Sequence, residues 1–515
     1  MSLTHFRPIP GPSSPPPSEA GSETYPLEVD PEIFRSWVER ATAYALDHLG
    51  ALREGSALGQ SGAEALEVAE QVSVAIPEEG LAESDDESYQ AALERFAEAV
   101  PASFNTAGPG YLAYIPGGGL PLAAIADLLA NLTNRFTGHT PAAPALARLE
   151  ADVLRWLCRE FGYGDEAYGL LTPGGSLANF TAFFTARVDR LGDEGDYRDA
   201  VAYTSAQAHH SVVRSLGLVG IPRRNLRVVP TDARFRMRPD ALREAMEEDR
   251  AAGKRPFLVV AAAGSTNSGA IDPMRELAEI CAEFEAWLHI DAAYGGAFVL
   301  CEEGRRRLAG IECADSITFD PHKGMFLPYG TGCLLVRDGT RLRHAHQGGA
   351  EYLQDLERFE RAGEAPSPTE HGPELSRDFR GLRLWLPLMV HGARAFREAL
   401  AEKLELAERF DAGLRALVER ELPIEIVDAP QLSLSTFRLR RRLDETVEAW
   451  NERNAAWLES INARGSAYLS STMLPLRAKP DTTAYTLRAC ILSFRTHADR
   501  IDDLLRDIAA TCPRG

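Results

Sequence analysis

A lysine and an aspartate, each placed just past a short apolar strand, are the residues of this chain that point most directly to chemistry. Lys323 lies in the segment Ser316–Gly324, and Asp291 lies in the segment His289–Tyr294. A lysine amine can hold an aldehyde cofactor as a Schiff base, and an aspartate can keep a pyridine nitrogen protonated so that the ring withdraws electrons. The pair therefore indicates an enzyme that uses pyridoxal 5′-phosphate (PLP).

A glycine-rich loop upstream has the composition of a phosphate-binding turn. The segment Thr172–Asn179 follows a predicted strand and opens a predicted helix, and it contains Gly175 and Ser176. Glycines let the backbone come close to a ligand, and the first turn of a helix offers unpaired N–H groups to an anion. Taken alone, the same residues also fit an ordinary helix cap.

Two further loops carry polar side chains after predicted strands. His209, in the segment Gln207–Ser211, could stack on a cofactor ring or deliver a proton. Thr266 lies in the segment Gly264–Gly269. Without other support, the histidine is as consistent with a solvated or capping residue, and the second segment with a plain turn.

In combination, these segments resemble the PLP-dependent group II amino-acid decarboxylases, the family of the aromatic-L-amino-acid and histidine decarboxylases. The resemblance covers roughly residues 30 to 510. The motifs that carry it are Gly175-Ser176, Gln207-Ala208-His209, Gly264-Ser265-Thr266, His289-Ile290-Asp291-Ala292-Ala293 and Asp320-Pro321-His322-Lys323, with support from Pro109–Pro116 and Phe379–Trp385.

The resemblance implies a role for each motif residue. Lys323 would form the Schiff base with PLP, and Asp291 would pair with the pyridinium nitrogen. His209 would stack on one face of the ring, with Ala293 beneath the other. The remaining residues implied to bind the cofactor are Gly175, Ser176 and His322, at the phosphate, and Thr266, near the ring.

Tyr352 matches the loop tyrosine with which the family's decarboxylases protonate the substrate carbon. The related aldehyde synthases have phenylalanine at that position, so Tyr352 favours decarboxylation. The surrounding sequence fits a flexible lid that excludes water.

On the substrate side, the resemblance implies contacts from Tyr114, Ile115, Pro116 and Phe136. The family's aromatic decarboxylases have several rings in this region. Here Thr106, Ile115 and Gly138 stand where rings are expected, and a pocket with fewer rings loses stacking. This departure makes aliphatic or polar substrates more plausible than aromatic ones. Asp320, where the family often has asparagine, is interpreted as a tolerated change.

The predicted function is therefore decarboxylation of an L-amino acid to its amine and CO₂, through Lys323, with catalytic help from His209, Tyr352 and Asp291. The alternatives are an aminotransferase, an aldehyde synthase or oxidative deaminase, and an inactive PLP-binding homologue. An aminotransferase needs a carboxylate clamp, for which Arg488 is a candidate. We interpret Arg488 as a packing residue.

Short apolar strands that alternate with helices between about 100 and 395 must position these residues. Such a pattern indicates a parallel sheet covered on both faces, and ligands of such sheets bind at the carboxyl ends of strands. The predicted strands are Tyr168–Leu171, Val201–Thr204, Leu226–Val229, Phe257–Ala262, Trp287–Ile290, Ser316–Phe319 and Gly332–Val336. The resemblance implies the aminotransferase-like fold, fold type I.

The rest of the chain divides around this α/β domain of residues 101–395. We predict a disordered lead-in over 1–28, a helical arm over 29–100 and a small α+β domain over 396–515. In the small domain, the predicted strands are Ile424–Val427, Leu432–Leu439, Ala467–Thr472 and Thr486–Leu492, and the predicted helices are Glu398–Leu417 and Ala498–Ala509.

Composition limits the partners. The chain has 515 residues and a net charge of −20, which argues against nucleic-acid and anionic-membrane partners, and no stretch is apolar enough to span a bilayer. The seven cysteines have no metal or disulfide spacing, so we expect reduced thiols in the cytoplasm and no metal site. The resemblance implies a homodimer, with the arm as a clasp.

Overall fold

A seven-stranded sheet forms the centre of the computed structural model, which describes residues 27–60, 62–348, 366–477 and 479–513. Its strands are β1 (Tyr168–Thr172), β2 (Ala200–Ser205), β3 (Leu226–Val229), β4 (Arg255–Ala262), β5 (Trp287–Asp291), β6 (Ser316–Phe319) and β7 (Gly332–Val336). Their order across the sheet is β1-β7-β6-β5-β4-β2-β3. All seven predicted strands are present, within two residues at either end.

The sheet is parallel except at β7, which pairs antiparallel with both of its neighbours, β1 and β6. Strands β2 to β6 pair in parallel, for example with Ala262 of β4 opposite Asp291 of β5. Parallel strands all end at the same edge of a sheet, so the loops that follow them meet there. The predicted α/β fold with a mainly parallel sheet is confirmed.

Both faces of this sheet are buried, as expected for strands joined by helical crossovers. Along β4, Leu258 and Val260 belong to one apolar cluster, whereas Val259 and Ala261 belong to another on the opposite face. The helices of this region are α4 (Pro121–Thr133), α5 (Pro144–Glu160), α6 (Gly175–Leu191), α7 (His210–Leu218), α8 (Pro239–Ala251), α9 (Met274–Phe284), α10 (Glu302–Arg307), α11 (Pro321–Gly324) and α12 (Gly339–His346).

A separate antiparallel sheet lies in the C-terminal region, in the order β10-β11-β9-β8. Its strands are β8 (Ile424–Asp428), β9 (Leu434–Leu439), β10 (Ser470–Leu476) and β11 (Lys479–Cys490), and its helices are α13 (Arg380–Glu419), α14 (Val447–Asn462) and α15 (Ala498–Thr511). Helix α13 contains the predicted helix 398–417 but begins earlier, and Gly392, at φ 69°, breaks its regular geometry.

The last two predicted strands were misplaced. The strand predicted over 467–472 runs instead from Ser470 to Leu476, and the one predicted over 486–492 begins seven residues earlier, at Lys479. The polar start of β11 concealed this strand, because Asp481, Thr482 and Thr483 lack an apolar alternation. None of these residues is buried, and Thr483 pairs with Pro475 of β10.

The N-terminal helices are α1 (Pro31–Ala51), α2 (Ala63–Val72) and α3 (Asp85–Ala99), and none of them has a buried residue. Helix α3 begins at Asp85, where the Ser84 side chain accepts a hydrogen bond from the backbone N–H of Glu87. The chain divides into two compact units: one contains α1 and α3, and the other contains both sheets.

The described residues contain neither a membrane-spanning helix nor a metal-binding cluster. No helix among them combines the length and apolarity needed to cross a membrane. No group of side chains in the described ranges could hold a metal ion. The seven cysteines are all unpaired, and six are buried. The proposed domain boundaries remain predictions.

Candidate active site

A cavity of about 460 Å³ opens at the carboxyl ends of the parallel strands. The loops after β1, β2, β4, β5 and β6 all contribute to its wall. All the residues predicted to bind the cofactor line it: Gly175, Ser176, His209, Thr266, Asp291, Ala293, His322 and Lys323. The structure therefore brings together, at one site, residues that are spread over about 150 positions of the chain.

Lys323 lies in α11, the short helix that Pro321 begins directly after β6. Its Nζ is 2.8 Å from Oδ2 of Asp320. Burial alone would lower the pKa of Lys323, but the adjacent Asp320 carboxylate and the more distant Asp291 outweigh this effect and raise it. The Asp320 carboxylate therefore holds Lys323 in its protonated, ammonium form.

Asp320 is almost fully buried, at 3% exposure. Besides the contact with Lys323, Oδ2 is 3.6 Å from Nε2 of His322, and Oδ1 has no hydrogen-bond partner. A buried carboxylate without a cation is costly, so the lysine and Asp320 stabilise each other. Asp320 thus places a negative charge beside Lys323, and its interpretation as a tolerated change remains a prediction.

Asp291 is the last residue of β5, the strand adjacent to β6. Its Oδ1 accepts a hydrogen bond from the backbone N–H of Ala293 at 3.1 Å, and its Oδ2 accepts one from Nδ2 of Asn179 at 3.1 Å. Both oxygens thus have a donor, so the carboxylate has a defined orientation at the cavity wall.

His209 caps the N-terminus of α7. Its Nδ1 accepts a hydrogen bond from the backbone N–H of Ser211 at 3.3 Å, and Oγ of Ser211 is 2.8 Å away. Burial lowers the pKa of His209, and this effect outweighs the opposing influence of Asp291. The imidazole is therefore mainly neutral near pH 7.

The glycine loop meets the start of α6, whose first backbone N–H groups have no acceptor within the helix. A Cβ atom on Gly175 would approach both carboxylate oxygens of Asp320 to 3.1 Å, so the close packing here favours glycine. Opposite this turn, Nδ1 of His322 donates to the carbonyl of Thr331 at 2.7 Å, which fixes the ring at the cavity.

The residues of this wall fit PLP. They supply an amine for its aldehyde, a carboxylate for its ring nitrogen and a helix N-terminus for its phosphate. Among the described side chains, Oε1 of Gln207 and Oδ1 of Asp320 are buried at this cavity without a partner. Unsatisfied buried acceptors are rare in proteins, and a ligand with donor groups would satisfy them.

Comparison with known proteins agrees with this geometry. Residues 76–440 match the family described as the pyridoxal-dependent decarboxylase conserved domain. The chain belongs to this family. The predicted family, the PLP cofactor and the assignment as a carboxy-lyase are therefore confirmed.

Individual decarboxylases are similar over most of their length. An aromatic-L-amino-acid decarboxylase of Bacillus atrophaeus is 37% identical over 402 residues, which are 78% of this chain and 81% of the relative. One from Bos taurus is 30% identical over 75% and 80% of the two chains. A crystal structure of the Oryza sativa enzyme TDC with PLP and tryptamine superimposes with a TM-score of 0.84 at 25% identity, covering 95% and 99%.

Two other residues were named in the sequence analysis, and the structure describes Arg488 but not Tyr352. Tyr352, predicted to be the loop tyrosine that protonates the substrate carbon, lies outside the described residues. Arg488 is 3% exposed and donates to the carbonyls of Asn267, at 3.1 Å, and Thr266, and to Oγ of Ser470, at 2.9 Å. Because these groups occupy its donors, Arg488 holds the Thr266 loop against β10, as a packing residue does.

The four residues predicted for the substrate are not brought to this cavity. Ile115 and Pro116 are buried, and Ile115 belongs to the main apolar core. Tyr114, at φ 52°, and Phe136 are 53% and 43% exposed. Their role in substrate binding remains a prediction.

Asn179 and Ser211 are two polar residues of the site to which the sequence interpretation gave no role. Both line the cavity and are hydrogen-bonded to each other. A signal was present, because Asn179 follows Gly175 by four residues and so lies on the same face of α6 as the glycine turn. His289, two residues before Asp291 on the same strand, is connected to this pair through Asn179.

Proposed function

We propose that this decarboxylase removes the α-carboxylate of an L-amino acid to give the amine and CO₂, with Lys323 binding the PLP aldehyde as a Schiff base. The observation that carries the proposal is the placement of Lys323 and Asp291 after two adjacent parallel strands, at one cavity wall. One side chain can bind the aldehyde while the other faces the ring nitrogen.

Asp320 prepares Lys323 for exchange with the substrate amine. Because the carboxylate holds the free lysine as an ammonium group, a lysine released by the substrate would find its counter-ion 2.8 Å away. While the lysine is free of the cofactor, the pair would hold a proton on Nζ and balance its charge.

Asp291 keeps the nitrogen of the cofactor ring protonated, since a nearby negative charge favours the cation. When bound, PLP supplies the electron-withdrawing ring that accepts the electron pair as CO₂ leaves. The two hydrogen bonds to Asp291 hold the carboxylate in one orientation, so no rearrangement is needed when charge develops.

The neutral ring of His209 would cover one face of the cofactor and keep water from it. We also assign to His209 and Tyr352 the return of a proton to the substrate carbon. Tyr352 supports the amine as product over an aldehyde, because the resemblance associates phenylalanine with aldehyde synthases.

The aminotransferase alternative loses its main support, because the donors of Arg488 are bonded to Thr266, Asn267 and Ser470. A substrate carboxylate would have to break these buried hydrogen bonds before it could bind there.

Two observations bear differently on the side chain of the substrate. The relatives from Bacillus atrophaeus and Bos taurus are aromatic-L-amino-acid decarboxylases, which supports an aromatic substrate. The ring-poor positions Thr106, Ile115 and Gly138 support a smaller one. We therefore propose an L-amino acid without restricting its side chain further.

A panel of amino acids, assayed with the PLP-loaded protein for CO₂, amine, keto acid and ammonia, tests the function. We expect CO₂ and amine in equal amounts from at least one aromatic or aliphatic amino acid. Keto acid without CO₂ would establish an aminotransferase instead, and aldehyde with ammonia would establish an aldehyde synthase.

We also propose a cytoplasmic homodimer. Helix α4 exposes four large apolar side chains, each 45–56% exposed: Ile125, Leu128, Leu129 and Leu132. Such a row is unfavourable in water and fits a second copy of the chain. The seven unpaired cysteines support the cytoplasmic location, because the cytoplasm is a reducing compartment in which thiols stay free. Sedimentation of Leu128→Asp tests the dimer: the wild type should sediment as a dimer and the variant as a monomer, whereas a dimeric variant would place the interface elsewhere.

A further inference from the structure

Behind the cavity wall, the buried side chain of Asn179 is the point where three hydrogen bonds meet. It is 1% exposed. Its Nδ2 is 3.1 Å from Oδ2 of Asp291 and 3.0 Å from Oγ of Ser211, and its Oδ1 is 3.0 Å from Nε2 of His289. One amide thus connects the carboxylate predicted to bind the ring nitrogen with the loop that carries His209.

The chemistry of the partners fixes the direction of these bonds. A carboxylate only accepts, so Nδ2 of Asn179 must face Asp291 and Oδ1 must face His289. Because that oxygen only accepts, Nε2 of His289 must carry the proton. Burial lowers the pKa of His289 to about 3, so the ring is neutral and its Nδ1 is an acceptor.

The same reasoning applies to the hydrogen bonds on the other side of the His289 ring, to Ser316 and Trp287. Oγ of Ser316 lies 2.8 Å from Nδ1 of His289, so its hydroxyl donates to that nitrogen. The oxygen in turn accepts from Nε1 of Trp287 at 2.8 Å. An indole N–H only donates and a carboxylate only accepts, so every proton between Trp287 and Asp291 points toward Asp291.

The second arm reaches His209. Nδ1 of His209 accepts the backbone N–H of Ser211, so it is an acceptor and the Ser211 hydroxyl donates to it. The oxygen of that hydroxyl accepts from Asn179, which keeps its proton directed to His209. A neutral His209 must then carry its proton on Nε2. The orientation of the Asn179 amide therefore bears on the tautomer of His209 as well as on Asp291.

We propose that Asn179 is a positioning residue that orients the Asp291 carboxylate and sets the tautomer of His209 through one amide. The inference rests on the proposed roles of Asp291 and His209 toward PLP. A connected, fully satisfied hydrogen-bond network holds its members in one arrangement.

Three variants separate the two arms. Asn179→Leu removes all three hydrogen bonds of the side-chain amide at similar volume. Asn179→Asp keeps the oxygen that accepts from His289, but it presents Ser211 with an acceptor in place of the amide donor. Ser211→Ala removes the hydroxyl of the His209 arm alone. Asn225→Leu is a matched control, because this buried amide donates to the carbonyls of Arg198 and Ala200 at the other end of β2.

The first measurement is the dissociation constant for PLP by equilibrium dialysis, with thermal unfolding as a check of folding. For Asn179→Leu we expect binding weaker by about tenfold or more, which corresponds to about 1.4 kcal/mol. Ser211→Ala leaves the bond to Asp291 in place and should weaken binding less than Asn179→Leu does, and the Asn225→Leu control should stay within about threefold of the wild type. A folded Asn179→Leu protein with the wild-type constant would overturn the proposal.

The second measurement is ¹⁵N NMR of histidine-labelled, cofactor-free protein. In the wild type, we expect His289 and His209 to carry their protons on Nε2. In Asn179→Asp, the Ser211 hydroxyl turns to the new carboxylate, so His209 should shift toward protonation at Nδ1 while His289 is unchanged. An unchanged His209 spectrum in that variant contradicts the tautomer role.

These outcomes are distinguishable from a failure of the proposed function. If the wild type did not bind PLP, or if Lys323→Ala kept the visible absorbance of bound cofactor, the function itself would be wrong. If both behaved as expected and the Asn179 variants resembled the wild type, only the role of Asn179 would fail.

Discussion

The residues predicted to bind PLP line one cavity, and we call them the cofactor wall. They differ from the segments predicted to contact the substrate in how the chain positions them. Every residue predicted for the cofactor lines one cavity, because each follows a strand of the same parallel sheet. The residues predicted for the substrate lie between 114 and 136, before the first strand, and none of them lines that cavity. The sheet positions the first group, whereas no shared element positions the second.

This difference suggests a division between reaction and specificity. A side chain at a strand end is held by the backbone ladder, so its position tolerates little change. Residues such as Tyr114 and Phe136 are half exposed and have fewer constraints, so they can vary with the substrate. Changes at the cofactor wall should therefore affect every substrate equally, whereas changes in the substrate segments should affect substrates differently.

The largest effect is expected for Lys323→Ala. Without the amine, no Schiff base can form, so the visible absorbance of bound PLP and the turnover should both disappear for all substrates. Absorbance spectra and CO₂ release measure this. Lys254→Ala, which removes a lysine bonded to Asp249 on the same sheet domain, is the control and should keep both. Retained absorbance in Lys323→Ala would exclude this lysine as the attachment point.

Asp291→Asn should have the next largest effect. The amide cannot offer a full negative charge to the ring nitrogen, so we expect kcat to fall on the order of 10²–10³-fold for every substrate, comparable to the loss of one charge-stabilising group. Steady-state kinetics on two unrelated amino acids measure this. If the loss differed strongly between the substrates, Asp291 would contact the substrate rather than the cofactor.

Sequence patterns predicted the cofactor wall well because periodicity and motif order agree there. Each predicted run of four to six residues became a strand of the sheet, and the polar residues at the ends of β1, β2, β4, β5 and β6 came to the same edge. The contacts between these loops were not predictable. The pairing of Asp320 with Lys323 and the bonds of Asn179 depend on side chains that approach across the sheet, and neither has a sequence period. Similarly, β11 was misplaced because its polar start takes part in a hairpin rather than in the core.

A smaller effect, again common to all substrates, is expected for Asp320→Asn. Asp320 raises the pKa of Lys323, so its neutral replacement should lower that pKa. Only the deprotonated amine attacks an aldehyde, so PLP should bind covalently to the variant at a lower pH than to the wild type. Stopped-flow absorbance across pH measures the shift. The control Asp315→Asn, which removes the partner of Arg337, should leave the profile unchanged. A profile shifted to higher pH would mean that Asp320 does not stabilise the ammonium form.

Phe136→Ala should have the smallest effect. It is also the variant most informative about the division between the cofactor residues and the substrate segments. The ring is 43% exposed, so its removal should leave stability and the PLP dissociation constant close to those of the wild type. If Phe136 contacts the substrate, kcat/KM should change by about 10-fold to 100-fold and differently for aromatic and aliphatic amino acids, since an apolar contact is worth about 1–3 kcal/mol in discrimination. Competition between one aromatic and one aliphatic substrate measures the ratio directly. An equal change for both, or a change in PLP binding, would show that this segment acts on the cofactor wall, and the separation of reaction from specificity would not hold.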